Sequence, residues 1–388
     1  MTQSFKHIFP LLITFLLMIM SPLKIDCQDS KKVNDIIRKK PLCTMTLKKV
    51  EREKYVQSVI SEEAFNQTRM DGTYNIPVQF HLLRMSNGTG GLTAAEAATE
   101  LAQANIRYAG MGVEFFQCSP VNFIDDDVLW NTVFDHDWDN FCGQTNAEYQ
   151  IANANNVANV VNLYYVNTDG WNWSSFPSYV EDYCKDWIIL DIDDIGTTTL
   201  LAHELGHYFN LLHTFQDHND PDYNEHITRN VGNSCWNCPV TGDLLCDTPA
   251  DNNSWDNACN WDGTGDDGCS NLSFTPSEEN IMSYSDCPEF FTEGQNNRII
   301  NCILTSRAYL NCPFLSDCET TWNLSSTQNT MYAYQATNYI TSTSDVNSGA
   351  NSVYDAGNYV KLQPGFHAKA GSTFSAILDG CWAPVIFP

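Results

Sequence analysis

Residues 201–213 read Leu201-Ala-His203-Glu204-Leu-Gly-His207-Tyr-Phe-Asn210-Leu-Leu-His213, and this run carries the strongest signal in the chain. His203 and His207 are four residues apart, so on a helix their imidazoles lie on one face, separated by a rise of about 6 Å. Two nitrogens placed in this way can converge on one zinc ion. Glu204 lies on the flank of the pair, where a carboxylate can accept a proton from water without taking a coordination position. The spacing therefore predicts a hydrolytic metal site.

His213 can join the same metal only if the helix ends before it, because continuous helix would carry it about 15 Å along the axis. Asn210 is suited to such an end, since Asn enters the left-handed conformation at modest cost. The sequence therefore predicts a helix that begins near residues 197–199, ends at Asn210 and returns His213 to the zinc. One alternative stays open: a site of two histidines and a downstream carboxylate, with His213 an ordinary surface residue.

The run resembles the elongated HExxHxxGxxH motif of the metzincins, a class of zinc peptidases. The resemblance implies that His203, His207 and His213 bind one catalytic Zn²⁺. It also implies that Glu204 is the general base. This chain has Asn210 where the motif has Gly, which changes the residue at the helix end and keeps the ligands.

Asn280-Ile-Met282-Ser-Tyr284 resembles the Met-turn that lies beneath the zinc of metzincins. The resemblance implies that Met282 packs under the ligands and that Tyr284 helps to stabilise the tetrahedral intermediate. Without the family, Met282 is interpreted as a core residue and Tyr284 as a half-buried aromatic side chain.

Within the metzincins, the chain resembles the pappalysin family over about residues 40–312. The likeness is carried, in order, by His213-Thr-Phe215, Gly242-Asp243, Cys246-Asp-Thr-Pro249, the Met-turn and Phe291-Thr-Glu-Gly-Gln295 with Arg298. It implies an α+β zincin catalytic domain with a twisted mixed sheet, an active-site helix and an irregular lower part entered after His213. It also implies protein or peptide substrates, and it allows for Ca²⁺ in the lower part.

Apolar patterning supports a mixed α/β first half. Thr93-Ala-Ala-Glu96 is a capping box and predicts a helix that runs to about Tyr108. Strands are expected where apolar residues alternate or run together, within residues 76–83, 112–116, 159–166 and 187–191.

Residues 217–288 are rich in Asp, Asn, Gly, Ser and Cys, which predicts irregular structure held by disulfides. The chain has 15 cysteines, and 10 of them lie between Cys235 and Cys381. In an exported chain, this density indicates disulfide bonds. Cys235-Trp-Asn-Cys238 could be half of a zinc ribbon, but no second closely spaced pair follows it.

The N-terminus has the layout of a secretory signal, since Lys6 and His7 precede an apolar run too short to span a membrane comfortably. The expected location is extracellular, with a lipid anchor at Cys27 as the alternative. The tail from about Cys318 to Cys381 contains Val353-Tyr-Asp-Ala356-Gly357 and Leu362-Gln-Pro-Gly-Phe366. With these motifs it resembles the three-coathanger stack appended to exported bacterial proteins. We expect four segments: a signal peptide at 1–27, a pro-segment or linker at 28–70, the catalytic domain at 71–317 and a small all-β module at 318–388.

Cys43 lies in the expected pro-segment, within Cys43-Thr-Met45. It resembles the cysteine with which some relatives ligate the zinc and block water in the zymogen, and a thiolate suits zinc well. The Gly that usually follows such a cysteine is missing here. The alternative, that Cys43 is half of a disulfide, is equally open.

The formal charge of −27 argues against a surface for polyanions. We therefore expect no nucleic acid partner. The shortness of the N-terminal apolar run leads us to expect no stable membrane insertion, and the sequence leaves the oligomeric state open. The expected function is that of a secreted zinc-dependent endopeptidase. The alternative from another class is a catalytically silent metzincin-like protein for surface binding or adhesion, against which the intact Glu204 and Tyr284 argue.

Overall fold

A computed structural model describes most of the chain after residue 72. The described residues are 25–27, 43–45, 73–134, 146–177, 186–194, 196, 199–255, 259, 261, 263, 265–316, 318–378 and 380–381. The expected signal peptide and pro-segment lie outside them, except for the backbone of two paired antiparallel strands, β1 (Ile25–Cys27) and β2 (Cys43–Met45). The side chain of Cys43 is outside the described part, so its zinc-blocking role stays a prediction.

A six-stranded sheet is the framework of the first half. Its strands are β3 (Tyr74–Arg84), β4 (Val113–Gln117), β5 (Asn122–Asp125), β6 (Val161–Val166), β7 (Trp173–Ser174) and β8 (Ile188–Asp191). β3 pairs in parallel with β4, β5 and β6, and β6 pairs in parallel with β8. β7 pairs antiparallel with β8 at the edge of the sheet. The predicted mixed sheet is therefore confirmed.

Helices cover both faces of this sheet. In the described residues they are α1 (Ala94–Tyr108), α2 (Asp127–Trp130), α3 (Ala147–Asn155), α4 (Leu200–Tyr208) and α5 (Glu293–Leu304). The predicted capping box opens α1, where the Thr93 hydroxyl accepts the Glu96 N–H and the Glu96 carboxylate accepts the Thr93 N–H. A short 3₁₀ turn, Ala109–Met111, follows α1.

Side chains of β3 alternate between two cores, because successive residues of a strand point to opposite faces. Phe80 belongs to a buried cluster that contains Leu205 of α4. On the same side, the Tyr108 hydroxyl at the end of α1 donates a hydrogen bond to the carbonyl of Ala202 (3.1 Å). Leu83 belongs to the cluster on the opposite face, together with side chains of α3. Helix α4 is thus fixed against the sheet and α1.

Disulfides stabilise the irregular region after α4, as predicted. Described residues between 217 and 288 contain isolated β-bridges and no helix or longer strand. Cys235 pairs with Cys269 and Cys238 pairs with Cys246, so neither is available for a zinc ribbon. Two further disulfides in the described part are Cys259–Cys287 and Cys118–Cys312.

The C-terminal strands form a parallel β-solenoid, defined here as residues 315–381. They are β9 (Glu319–Leu324), β10 (Tyr332–Ser342), β11 (Asp345–Val346), β12 (Asn351–Ala356), β13 (Tyr359–Leu362), β14 (His367–Ala368) and β15 (Thr373–Ile377). Partners such as Thr321 and Tyr339, Tyr339 and Tyr359, and Asp345 and His367 are 18, 20 and 22 positions apart. Each coil therefore pairs with its neighbours alone, as in other solenoids.

Strand β10 passes through two faces of the solenoid. Its first half pairs with β12, and its second half pairs with β9 and β13. A disulfide between Cys318 and Cys381 joins the two ends of the segment. The all-β character of the tail is confirmed, whereas its boundary at residue 318 stays a prediction, because Phe314 and Leu315 pack against clusters on both sides.

In the part of the chain that the structure describes, no helix combines the length and the apolar character needed to cross a bilayer.

Candidate metal centre

The helix α4 ends where the sequence analysis placed its end. The N-cap position is Thr199, and the helix runs from Leu200 to Tyr208. Asn210 has a left-handed φ of 76°. The Leu211 N–H then donates to the carbonyl of Gly206 (2.9 Å). This turn reverses the chain and brings His213 back beside the helix.

The three histidines point their Nε2 atoms at one place. The distances are 3.1 Å from His207 to His203, 3.1 Å from His207 to His213 and 3.2 Å from His203 to His213. Zinc binds imidazole nitrogens at about 2.0–2.1 Å. Three nitrogens at this spacing could all reach one ion at that distance, and a three-histidine set would leave a further coordination position for water. The residues therefore fit a zinc ion.

Hydrogen bonds to the other ring nitrogens fix two of the tautomers. The Nδ1 atom of His203 lies 2.7 Å from the Ile281 carbonyl, and that of His207 lies 2.8 Å from the Leu211 carbonyl. Because a carbonyl can only accept, each Nδ1 carries the proton and each Nε2 keeps its lone pair. Lone pairs that face each other at 3.1 Å repel unless a cation lies between them.

Burial keeps the rings of His207 and His213 neutral. The pKa of His207 and that of His213 are both lowered well below the usual value, chiefly by desolvation and also by neighbouring histidines. Neutral imidazole is the form that binds metal. In the described residues, His203, His207 and His213 are the one group of three or more candidate ligand residues with all ligand atoms within 4.8 Å.

Glu204 is 5% exposed and follows the first ligand directly. Burial, and secondarily the charge of Asp194, raises the pKa of its carboxyl to about 8. A bound dication would lower that pKa again, since its charge favours the carboxylate. Asp194 was not anticipated from the sequence. It is held by Asn172, whose amide donates to its carboxylate (2.9 Å).

The Met-turn supports the ligands from below. Met282 is fully buried, and a Cβ placed on Gly206 would lie 2.5 Å from the Met282 sulfur. The Met282 carbonyl accepts the Thr214 N–H (3.1 Å), while the preceding carbonyl of Ile281 accepts from His203. The turn thus contacts the motif at both ends, and Gly206 is needed because no side chain fits above the sulfur.

The Tyr284 ring lies against the histidines. Its centroid is 4.8 Å from that of His213 and 5.9 Å from that of His203. Phe215 contacts both rings: it is stacked on His213 at 4.7 Å, and its centroid is 4.6 Å from that of Tyr284. The predicted site residues His203, Glu204, His207, His213, Met282 and Tyr284 are therefore brought together, whereas the Cys43 side chain cannot be placed.

Two neighbours of the site besides Asp194 were missed by the sequence analysis. Asp251 accepts hydrogen bonds from the hydroxyls of Thr214 (2.8 Å) and Ser283 (3.0 Å), which links the segment after His213 to the Met-turn. Phe176, just beyond the edge strand β7, has its ring 5.3 Å from that of His207. No short-range motif contains either residue.

Comparisons with known proteins agree with this geometry. Residues 128–304 match the Peptidase_M43 family, described as pregnancy-associated plasma protein-A. An extracellular metalloprotease of Colletotrichum graminicola is 26% identical over 287 residues, covering 68% of this chain and 88% of that protein. An extracellular metalloprotease of Sordaria macrospora is 25% identical over 252 residues, covering 60% of this chain and 76% of that protein.

Solved structures of two mirolysin forms from Tannerella forsythia are also similar. A promirolysin mutant is 16% identical, covers 68% of this chain and 92% of its own, and gives a TM-score of 0.48. Mature mirolysin in complex with a cleaved peptide is 18% identical, covers 62% of this chain and 98% of its own, and gives a TM-score of 0.42.

This chain is a metalloendopeptidase, and its histidine cluster fits the zinc that such an enzyme uses. The family match over residues 128–304 agrees with the resemblance to pappalysins.

Proposed function

We propose that this protein is a secreted zinc-dependent endopeptidase in which His203, His207 and His213 hold the metal and Glu204 is the general base. The observation that carries the proposal is the convergence of three Nε2 atoms at 3.1–3.2 Å, with two of the rings fixed by carbonyl acceptors. This convergence favours a three-histidine site over a site completed by a downstream carboxylate.

Zinc, when bound, supplies positive charge that polarises a peptide carbonyl and lowers the pKa of the attacking water. Glu204 takes a proton from that water during attack and passes it to the departing amine. Tyr284, beside His213, donates a hydrogen bond from its hydroxyl to the carbonyl oxygen as negative charge develops there. The buried surroundings of Glu204 exclude competing solvent and strengthen these interactions.

The edge strand β7 offers a place for the substrate backbone. It is the last strand of the sheet order, and one of its edges pairs with β8. An extended peptide can add to such an edge by main-chain hydrogen bonds. The Phe176 ring beside His207 places this edge next to the metal ligands. We therefore assign the substrate as an unfolded or extended polypeptide segment.

Several features support export. The two relatives compared above are named extracellular metalloproteases. Five disulfides lie in the described part, a density that fits an oxidising compartment. The signal at 1–27, the latency role of Cys43 and the division into four segments belong to the same proposal. Calcium in the lower part stays an expectation, since no group of three carboxylates close enough to share an ion occurs among the described residues.

The proposal is tested by cleavage of casein with the purified, zinc-loaded protein. Glu204→Gln keeps the shape of the side chain but removes the base, so we expect cleavage to fall by about 10²- to 10⁴-fold at unchanged zinc content. Glu148→Gln is the matched control, because Glu148 is also a buried helical glutamate but lies on α3, across the sheet. A zinc-loaded wild type that cleaves no protein would favour the binding or adhesion alternative.

A further inference from the structure

A fully buried arginine lies behind the active-site helix. Arg307 follows α5 and has no exposed surface. Its Nε donates to the Tyr208 carbonyl (3.2 Å), and its Nη2 donates to the Ser175 carbonyl (3.0 Å). Its Nη1 donates to the carboxylate of Asp186 and to the Tyr309 hydroxyl. The guanidinium also lies 3.5 Å from the centre of the Tyr208 ring.

These partners belong to three elements that surround the metal centre. Tyr208 is the last residue of α4 and directly follows the ligand His207. Ser175 directly follows the edge strand β7 and precedes Phe176. Asp186 lies two residues before β8 and also accepts from the Tyr208 hydroxyl (2.9 Å). One side chain therefore joins the metal-bearing helix to the edge strand.

The chemistry requires arginine at this position. Its planar fork presents five donors at fixed angles, whereas lysine has one ammonium that cannot reach separated acceptors together. Burying an ion pair of this kind does not in itself favour folding over an apolar replacement of equal size. A role in holding the partners in one arrangement accounts for the buried charge better than stability does.

We propose that Arg307 is a positioning residue for substrate binding, which fixes the segment of Ser175 and Phe176 relative to the end of α4. This inference rests on the proposed function, because it assumes that β7 receives the substrate. While the guanidinium makes all its hydrogen bonds, the distance between the edge of β7 and the histidines is fixed. Without these bonds, the fold and the zinc site remain, but the edge becomes mobile.

Arg307→Lys tests this, because it keeps a charge for Asp186 and loses the bridge between Tyr208 and Ser175. We expect KM for casein to rise about tenfold, the effect of one lost hydrogen bond, while kcat changes less than about twofold. Zinc content stays at the wild-type value. Amide hydrogen exchange of residues 173–177 becomes at least about tenfold faster.

Arg229→Lys is the matched control. Arg229 pairs with the Glu225 carboxylate (2.7 Å) and donates to the carbonyls of His226 (3.0 Å) and Ile227 (3.3 Å). None of these partners belongs to the apolar cluster of Trp173 and Phe176. Its replacement should speed exchange near residues 226–229 and leave both KM and the exchange of 173–177 unchanged. Where Arg307→Lys does not fold, Tyr309→Phe removes one partner of the arginine and should raise KM two- to threefold.

Unchanged KM in a folded Arg307→Lys or Tyr309→Phe protein overturns the inference, as does a fall in kcat or zinc content at constant KM. Faster exchange at 173–177 with unchanged KM also overturns it, because the segment would then not serve binding. A wild type that leaves casein intact is a separate result, since it removes the proposed function itself and the substrate role of Arg307 with it.

Discussion

The metal centre and the C-terminal β-solenoid are built on opposite principles. In the metal centre, residues from α4, the turn at Asn210 and the Met-turn converge, so Met282 contacts a helix some 80 positions earlier in the chain. In the solenoid, paired residues are 17–22 positions apart and each coil pairs with its neighbours. The difference implies that a change near the zinc spreads through the centre, whereas a change in one coil stays local.

The largest expected effect is the loss of stability when a buried side chain is truncated, and it can be compared between one residue of each region. Met282→Ala and Ile340→Ala each remove a fully buried apolar side chain and should each lower local stability by about 2–5 kcal/mol. We expect Met282→Ala alone to weaken zinc binding, because it opens a cavity beneath Gly206. Urea unfolding and zinc titration measure the two quantities. Equal loss of zinc affinity in both variants would show that the two regions are one cooperative unit.

The next largest expected effect is a loss of folding stability at acidic pH. Burial lowers the pKa of His81 on β3 to about 4, although a hydrogen bond with Asn162 opposes the shift. The unfolded chain, with a His81 pKa of about 6.5, binds a proton between pH 6.5 and 4, whereas the folded protein does not. The free energy of unfolding is therefore unaffected by His81 above pH 6.5 and falls as pH is lowered to 4. The change is about 3 kcal/mol at most.

Unfolding free energies from pH 7 to pH 4 measure this loss in the zinc-free protein. His81→Gln cannot titrate, so its curve should be flatter than that of the wild type between pH 6.5 and 4. Parallel curves would mean that His81 is not kept neutral by the fold. The comparison is made without zinc because zinc release at low pH would otherwise add to the slope, and the ligand histidines contribute equally in both proteins.

A smaller effect is expected at the helix end. Asn210 has a φ of 76°, so Asn210→Val should cost about 1–3 kcal/mol and shift His213 away from the other ligands. Asn210→Gly, which restores the residue of the metzincin motif, should retain both stability and zinc binding. Thermal unfolding and zinc affinity test the pair. A valine variant with normal zinc affinity would show that the left-handed turn does not place His213.

The smallest effect is expected at the surface of the solenoid. Tyr359 is 44% exposed and stacks on Tyr339 with ring centroids 5.1 Å apart. Tyr359→Ala should lower the stability of the solenoid by about 1 kcal/mol and leave casein cleavage unchanged. Hydrogen exchange of residues 351–377 locates the loss. A change in cleavage would connect the solenoid to the active site.

Local patterns predicted those parts of the fold whose partners are close in sequence. The capping box of Thr93 and Glu96 gave the start of α1, and Asn210 gave the end of α4, because each depends on residues within one or two turns. The mixed sheet followed from apolar runs. In the solenoid, short strands were expected, but parallel pairing at a spacing of 17–22 was not, since the same alternation also suits antiparallel hairpins.

Contacts across long sequence distances could not be predicted. Asp251 meets Thr214 and Ser283 at separations of 37 and 32 residues. Arg307 meets Ser175 at a separation of 132 residues. No periodicity or spacing encodes such contacts, because they arise only when the sheet and helices pack. The ligands themselves were predictable since all three lie within eleven residues.

The central claim is that His213 completes a three-histidine zinc site. It is tested most directly by measuring zinc per chain and zinc affinity in His213→Ala beside His218→Ala, a half-buried histidine five residues later. We expect His213→Ala to lose at least about 100-fold in zinc affinity and nearly all cleavage, and His218→Ala to retain both. A His213→Ala protein with one zinc per chain and normal cleavage would contradict the account and point to a carboxylate as the third ligand.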